Sequence, residues 1–431
     1  MKRDIFKDLE HWARSEIRVP LVIKGARQVG KSWCVREFGK TFENFVEINF
    51  EKHKELKSAF CGDVDVQALL QKLSLYKNIP IIPGKTLLFF DEIQECPEAI
   101  LYLRYFKEDK PDLHIIAAGS LIEFALEKVG MPVGRVDYLY LTPLSFGEFL
   151  SAAGREDLRK QSLNSENNSV LDQLLKEYLR NYFWLGGMPE VVDTWIKHQN
   201  IEQCQQIQDR IIAAYEDDFP KYAKRNQIEH VEKLFNNIPI QLGNKFVYTR
   251  VDDSIRSANL KSALCLLERA GIAHVSYYSS SQHVPLKARK NEKFFKVFFL
   301  DVGLTQRMLG MLHQSWIIQS IKVENLGGLA EQFVAQELVS YGSKKTKKEL
   351  FYWLRESKNA KAEIDFLVEK GSDIFPIEVK SGKTGRLKSL QYYLNTHPDV
   401  RFGVKISENP YYETDRILEI PLYSIEAWLT S

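Results

Sequence analysis

The segment that begins at Gly25 carries the clearest chemistry in the sequence. It matches the phosphate-loop pattern G-x-x-x-x-G-K-[ST] in full. In such a loop, backbone N–H groups point at phosphate oxygens, the lysine reaches the β- and γ-phosphates, and the serine hydroxyl ligates Mg²⁺. The sequence therefore predicts a site for a nucleoside triphosphate and Mg²⁺. The predicted nucleotide-binding residues are Gly25, Ala26, Arg27, Gln28, Val29, Gly30, Lys31, Ser32 and Trp33, with a structural or solvent-facing role as the alternative for Arg27.

Two adjacent carboxylates follow a second apolar run. Thr86-Leu-Leu-Phe-Phe precedes Asp91-Glu92, as expected for a buried central strand that ends beside the phosphate loop. Asp91 is predicted to hold Mg²⁺ together with Ser32, and Glu92 is predicted to activate the water that attacks the γ-phosphate. Together with Lys31, these residues form the predicted catalytic centre.

Ser120 and Arg135 are further candidates for the same site. Ser120 follows the apolar run 114–118 and is placed to orient the attacking water, with a plain turn serine as the alternative. Arg135 precedes the run 138–141. Its guanidinium is predicted to stabilise charge on the transferring phosphoryl group, within one chain or from a neighbouring subunit. A surface arginine is the other interpretation of Arg135.

Four motifs occur in the order GARQVGKS, LLFFDEIQE, AAGSL and GRVDYLYLTPLSFGEFL. In this order and spacing they resemble the prokaryotic AAA-type ATPases that carry a C-terminal domain of unknown function. The resemblance implies parallel strands sandwiched by helices, ATP hydrolysis at the phosphate loop, and a place for Gly134-Arg135 in the motif set. The segment LGGMPEVV, which begins at Leu185, resembles a signature of the same family. The sequence suggests no chemistry for it, and Glu190 is interpreted as a capping carboxylate.

A second set of acids lies near the C-terminus. The candidates are Glu331 (or alternatively Glu337) on a predicted helix, and Asp365, Glu378 and Lys380 on the strands that follow. This order resembles the restriction-endonuclease-like fold. The resemblance implies that Asp365 and Glu378 share Mg²⁺ and that Lys380 activates water or offsets phosphate charge. The isoleucine before Asp365 departs from the usual proline, and a degenerate domain that binds a partner is the alternative.

The middle of the chain is predicted to contain helices followed by a hairpin, an order that suits a winged-helix module. The basic stretch from Lys287 to Lys296 is the one patch that could contact a phosphate backbone, and a solvated hairpin is the alternative. Three consecutive acids, Glu216 to Asp218, are interpreted as a solvated helix end rather than a metal site.

The composition restricts the classes of partner. Lys and Arg number 59 against 57 Asp and Glu, and the net charge of +2 argues against broad coating of nucleic acid. Because no run of 18 apolar residues occurs, the sequence predicts no membrane span. Five widely spaced cysteines without a C-x-x-C pair favour reduced thiols and a cytoplasmic location.

The predicted fold class is α/β with three domains. They are an AAA-type phosphate-loop ATPase domain with a parallel sheet (1–155), a helical and winged-helix-like domain (170–325), and a small α/β restriction-endonuclease-like domain (326–431). The predicted function is Mg²⁺-dependent ATP hydrolysis that moves the appended domains, with DNA or a protein as partner. The alternative is a nucleotide-switched protein-interaction module whose nuclease-like domain does not cut. The sequence determines neither the oligomeric state nor the biological process.

Overall fold

The computed structural model describes residues 1–62, 65–129, 134–163, 169–311, 326–355, 362–382 and 387–431. The strands are β1 Leu21–Lys24, β2 Asn44–Asn49, β3 Thr86–Asp91, β4 His114–Ala118, β5 Asp137–Tyr140, β6 Ala273–Ser279, β7 Lys290–Phe299, β8 Leu350–Leu354, β9 Glu363–Lys370, β10 Asp373–Val379, β11 Gly403–Ser407, β12 Tyr412–Glu413 and β13 Ile417–Pro421. The α-helices are α1 Ile5–Arg14, α2 Lys31–Gly39, α3 Val66–Lys77, α4 Pro97–Asp109, α5 Ile122–Val129, α6 Phe146–Ala152, α7 Glu156–Ser162, α8 Ser169–Leu185, α9 Pro189–His198, α10 Ile201–Tyr222, α11 Ile228–Asn237, α12 Ser257–Arg269, α13 Val302–Met308, α14 Leu326–Ser340, α15 Lys388–Thr396 and α16 Ile425–Thr430.

The first sheet contains β1 to β5 in the order β2-β3-β4-β1-β5, and every neighbouring pair is parallel. The apolar runs of β1, β3 and β4 are buried along their whole length, as a central parallel strand requires. Because β4 lies between β1 and β3, the residues that follow β4 lie between the phosphate loop and the acids that end β3. The predicted parallel sheet flanked by helices is confirmed.

Helices cover both faces of this sheet. Successive residues of a strand point to opposite faces, so Leu21 and Ile23 pack with α1 and α2, whereas Val22 packs with α3, α4 and α5. The apolar core on the α1 side continues without a break into the later helices and the second sheet, where it includes Phe333 and Val404. The regions after residue 150 therefore pack directly on one face of the first sheet.

The second sheet has eight strands in the order β12-β13-β11-β10-β9-β8-β6-β7. The predicted hairpin of the middle region forms β6 and β7, and β6 pairs in parallel with β8 through Ser276 and Leu350. One hydrogen-bonded sheet thus contains strands from both sides of the predicted boundary at 325/326. The three-domain division and the winged-helix and nuclease-like assignments remain predictions.

The glycine pair in LGGMPEVV has a packing role. Gly186 has φ 71°, and a Cβ added there would lie 2.0 Å from Asp301 Oδ1. A Cβ on Gly187 would lie 2.0 Å from the backbone oxygen of Leu144. The buried Asp301 carboxylate accepts a hydrogen bond from Gly187 N (2.6 Å) and another from Leu304 N (2.9 Å) at the start of α13. Glu190, interpreted as a cap, instead pairs with Arg210 (3.4 Å) at the surface.

A network of ion pairs joins the two ends of the chain. Buried Arg3 pairs with Glu148 (3.0 Å), and Arg159 pairs with both Asp4 (2.6 Å) and Glu426 (2.5 Å). Glu426 lies on α16, so this network ties the last helix to the residues that precede α1. Among the described residues, no helix is long and apolar enough to cross a bilayer.

Candidate functional site

The phosphate loop connects β1 to α2, and two glycines shape it. Gly25 has φ 151°, and a Cβ there would lie 2.2 Å from the backbone oxygen of Leu141. Gly30 has φ 95° and is the N-cap residue of α2. A side chain at either position would strain the backbone. The loop therefore presents the amino end of α2, with its free N–H groups and positive dipole, as an anion-binding surface.

Lys31 is held inside this loop. Its ammonium donates hydrogen bonds to the backbone oxygens of Gly25 (3.0 Å) and Ala26 (2.7 Å), and only 7% of the residue is exposed. Burial lowers the pKa of Lys31 to about 8, although Glu92 and Asp91 act in the opposite direction. A phosphate oxygen beside this ammonium would offset the cost of its burial.

Ser32 and Asp91 meet as the sequence predicts. Ser32 Oγ donates to Asp91 Oδ1 over 2.7 Å, and Asp91 Oδ2 accepts a hydrogen bond from Asn49 Nδ2 (2.9 Å). The hydroxyl and the carboxylate are hard oxygen donors of the kind that Mg²⁺ prefers, so the pair fits this ion. Asn49 was not predicted, and its signal is positional: it ends β2 directly opposite Asp91 in the ladder.

Glu92 follows Asp91 in a left-handed conformation, with φ 52° and ψ 45°. Burial raises the pKa of Glu92 above its usual value, which suits a general base, while a hydrogen bond from Gln94 Nε2 (2.6 Å) acts against the rise. Gln94 was also missed by sequence reasoning. Its side-chain oxygen lies against Gly119, where an added Cβ would be only 1.9 Å away. Gln94 therefore links Glu92 to the carboxyl end of β4.

Ser120 and Arg135 occupy different ends of the first sheet. Ser120 follows β4 and lines a cavity together with Gly25 and Ala26, close to the phosphate loop. Arg135 precedes β5, whose first residue is paired with Leu21, so it lies at the amino end of the sheet and not at the loop. It is half-exposed and pairs with Glu108 over 3.3 Å. Within one chain, Arg135 does not join the other site residues.

The rest of the predicted nucleotide-binding set contacts the middle of the chain. The Arg27 guanidinium pairs with Asp218 of α10 (2.5 Å), and Tyr215 of the same helix donates a hydrogen bond to the Arg27 backbone oxygen (2.7 Å). Asp218 is only 4% exposed, so the interpretation of residues 216–218 as a solvated helix end is wrong for this residue. Trp33 is partly exposed and makes an edge contact with Phe6. The phosphate loop is thus attached to α10.

Arg3 holds the same loop from the other side. Its guanidinium donates to the backbone oxygens of Val29 (3.0 Å) and Thr142 (2.7 Å) and also pairs with Glu148. Arg3 therefore connects the loop to Glu148, which also accepts a hydrogen bond from Asp4 N, and Asp4 pairs with Arg159.

The C-terminal candidates also come together. Asp365 on β9 accepts a hydrogen bond from the backbone N–H of Val379 on β10 (2.8 Å), and Lys380 donates to Glu378 (2.5 Å). Burial raises the pKa of Glu378 to about 7, the neighbouring Asp365 adds to the rise, and Lys380 opposes it. One oxygen of the Glu378 carboxylate is buried without a hydrogen-bond partner.

A lysine occupies the centre of this acidic cluster. The Lys296 ammonium lies 2.9 Å from Glu331 and 3.6 Å from Asp365, contacts Glu363, and has a side chain only 1% exposed. Although burial acts to lower it, the pKa of Lys296 is raised by the carboxylates of Glu331, Asp365 and Glu363. Lys296 was predicted to be part of a basic patch for phosphate backbones, and its burial contradicts that prediction.

Glu331 belongs to the cluster around the Lys296 ammonium, whereas Glu337 does not. Burial raises the pKa of Glu331 to about 7, while Lys296 opposes the rise. Glu337, the alternative to Glu331, lies apart from the cluster and accepts a hydrogen bond from Phe146 N (3.1 Å). Within the described residues, no group of three or more His, Cys, Asp or Glu side chains is arranged to hold a metal ion.

Comparison with known families divides the chain into three matched segments. Residues 18–150 match the family described as AAA domain. Residues 176–315 match a domain of unknown function (DUF8612), and residues 326–425 match another (DUF4143). The AAA match supports nucleotide binding and ATPase activity in the first region, and the last match agrees with the expected C-terminal domain of unknown function.

Similarities to solved structures are weak, and the comparison with curated proteins gave no match. A structure of Drosophila ORC bound to DNA is 13% identical, with 72% of this chain and 96% of that chain covered and a TM-score of 0.27. A structure of C. elegans PCH-2 is 11% identical, with 62% and 66% covered and a TM-score of 0.23. Both TM-scores are too low to support an inference about this chain.

The buried ammonium of Lys296 gives a direct test of the C-terminal cluster. Replacing Lys296 with methionine leaves Glu331 and Asp365 buried without a positive partner, so the free energy of unfolding should fall by about 3–5 kcal/mol. Lys293→Met, on the exposed part of the same strand, should change it by less than about 0.5 kcal/mol. Urea unfolding of both variants measures the difference, and equal stabilities would contradict the paired role of Lys296.

Proposed function

We propose that this chain is a Mg²⁺-dependent ATPase that acts as a nucleotide-operated switch on protein contacts, with a C-terminal region that binds rather than cuts. The observation that carries the proposal is the convergence of Lys31, Ser32, Asp91 and Glu92 at the amino end of α2. These residues come from β3 and from the loop after β1, two strands that a third strand separates. The AAA match over residues 18–150 supports the same activity.

Each group has a defined part in hydrolysis. The backbone N–H groups of the loop and the Lys31 ammonium bind the phosphates. Ser32 and Asp91 would hold Mg²⁺, which when bound neutralises charge on the β- and γ-phosphate oxygens. Glu92, whose pKa burial raises, accepts the proton of the attacking water on its free carboxylate oxygen. Arg135 can serve only a neighbouring subunit, because it lies at the opposite end of its own sheet.

The proposed nucleotide switch is based on the contacts that the phosphate loop makes with other parts of the chain. Arg27 is bound by Asp218, and Val29 is bound by Arg3. Nucleotide phosphates offer Arg27 a second partner of higher negative charge, so ATP and Asp218 compete for the same guanidinium. Binding of ATP would therefore loosen α10 and alter the contacts of the middle region.

The C-terminal cluster supports a binding role. Lys296 places one positive charge among Glu331, Glu363 and Asp365, and Asp365 is one of the two carboxylates predicted to share Mg²⁺. A cation would have to displace a buried ammonium that is hydrogen-bonded to its neighbours, at a cost of several kcal/mol. The cluster instead joins β7 of the middle region to α14 and β9.

A second candidate function is a DNA-directed nuclease coupled to ATP hydrolysis. The observation in its favour is the meeting of Asp365, Glu378 and Lys380 on adjacent strands, with one Glu378 oxygen unpartnered. The arrangement has the residue types of a metal-dependent phosphodiesterase.

Substitutions in the loop test the ATPase. Lys31→Ala removes the ammonium that contacts the phosphates, and hydrolysis should fall about 100-fold or more. Glu92→Gln should lower kcat by about 100-fold or more while ATP binding is retained, because only the base is lost. Phosphate release and binding of a fluorescent ATP analogue measure the two effects. Unchanged turnover in Lys31→Ala would overturn the proposed activity.

The contact between Arg27 and α10 tests the switch. The measurement uses Glu92→Gln, which retains ATP binding, as the parent protein. In this parent, Asp218→Asn removes the ion-pair partner of Arg27. The affinity for ATP should then rise about two- to fivefold, which corresponds to the free energy of a partly exposed ion pair. Asp217→Asn changes an exposed neighbour on the same helix and serves as the matched control. If both variants bind ATP as the parent does, Asp218 does not restrain the loop.

Cleavage assays separate the two candidate functions. Plasmid and single-stranded DNA are incubated with the protein, with and without Mn²⁺ and ATP, beside a Glu378→Gln variant. The binding role predicts no cleavage by either protein. Cleavage that needs Mn²⁺ and disappears in Glu378→Gln would establish the nuclease and remove the binding proposal.

A further inference from the structure

A cavity lies where the three regions of the chain meet. Its walls come from the carboxyl ends of β1, β4 and β5, from the end of α12 and the start of β6, and from the segment that follows α14. Its empty volume is about 800 Å³ when the open solvent at its mouth is included. Of the phosphate loop, Gly25 and Ala26 line the cavity, and residues 27–32 are not part of its wall.

The wall of this cavity is strongly basic. The charged lining residues are Lys24, Arg269, Lys344, Lys347, Lys348, Glu123 and Glu268. Five basic and two acidic groups give a net charge of +3, which exceeds the +2 of the whole chain. The near-neutral chain therefore concentrates positive charge in one concave place, where low-dielectric walls strengthen the field.

Part of this charge is already paired and part is not. Glu123 pairs with Lys24 (3.5 Å), Glu268 pairs with Lys347 (3.5 Å), and Arg269 pairs with Glu127 (2.7 Å), which lies outside the wall. Lys344 reaches only Asp8, at 3.9 Å, and Lys348 is half-buried and makes no ion pair with any described residue. Two ammonium groups thus remain weakly paired or unpaired in a recess, an arrangement that a bound anion would stabilise.

The uncharged groups suit an anion with several oxygens. Hydroxyl donors come from Ser120, Thr142, Ser343 and Thr346. Burial and the charge of Lys347 lower the pKa of His274 to about 4, so this side chain is neutral near pH 7 and adds a hydrogen-bonding group without charge. Ammonium and hydroxyl donors on several sides match the three or more acceptor oxygens of a phosphate better than the two of a carboxylate.

We propose that this cavity binds a small phosphorylated anion at a second site, which shares Gly25 and Ala26 with the phosphate loop but not Lys31 or Ser32. The segment Ser343-Lys-Lys-Thr-Lys-Lys348 supplies five of the donors, and Lys24 and Arg269, which both contact Glu123, complete the basic lining. Because all three regions contribute to the wall, a bound anion holds them together and contacts the strand end that carries Ser120. The proposal does not depend on the ATPase activity of the chain.

Titration with inorganic pyrophosphate in the absence of ATP tests this site, with calorimetry on four full-length proteins. The parent can also bind pyrophosphate in the phosphate loop, so Lys31→Ala is the background for the next two variants, and it should retain one pyrophosphate site because Lys31 is not in the wall. Lys348→Gln should weaken binding about tenfold, the value of one hydrogen bond to a charged group. Lys345→Gln, an exposed lysine of the same segment outside the wall, should bind as the Lys31→Ala background does.

Two outcomes would overturn the proposal. Loss of binding in Lys31→Ala would place the pyrophosphate in the phosphate loop. Equal weakening by Lys345→Gln and Lys348→Gln would assign the binding to diffuse surface charge. Lys347→Gln serves as a second variant if Lys348→Gln does not fold, as judged by circular dichroism, and it should also bind pyrophosphate more weakly than Lys345→Gln.

Discussion

A charged side chain that leaves water must meet opposite charge or hydrogen-bonding groups, and in this chain those partners come from distant parts of the sequence. Arg3 reaches Glu148, Asp218 reaches Arg27, and Lys296 reaches Glu331 and Asp365. Each pair lies at a contact between regions that are separate in the sequence. Together with the apolar core that continues from the first sheet into the second, these contacts hold the regions against one another.

The phosphate loop shows how such contacts connect to chemistry. The loop needs glycine at two positions so that its backbone N–H groups face an anion, and this requirement is local. The side chains that contact the loop come from distant parts of the sequence: Arg3 contacts it on one side and Asp218 on the other. The proposed phosphate site is therefore flanked by charged side chains, and under the proposed switch a bound nucleotide would act on α10 through Arg27.

The C-terminal cluster illustrates how one residue changes the chemistry of an acidic site. Asp365, Glu378 and Lys380 converge as the nuclease resemblance implies. Lys296 then enters from β7, a strand that precedes this region in the chain, and places an ammonium among the carboxylates. The same acidic side chains can bind a metal ion or pair with a lysine ammonium. The cation that lies beside them decides which of the two they do. In the cavity near Lys348 the signs are reversed, because the basic side chains outnumber the acidic side chains that could pair with them.

The sequence by itself determined four strands of the first sheet but not β2, together with the phosphate loop and the pairing of Ser32 with Asp91, because these depend on strand burial, glycine geometry and residue order along the chain. It also placed Asp365 beside Glu378, since both lie on neighbouring strands of one hairpin. It did not reveal Asn49, Gln94 or the partner of Arg27, and it placed Lys296 on a surface and Asp218 in solvent. Only the tertiary structure decided these points, because each depends on which distant side chain or strand lies opposite, and no local pattern encodes that choice.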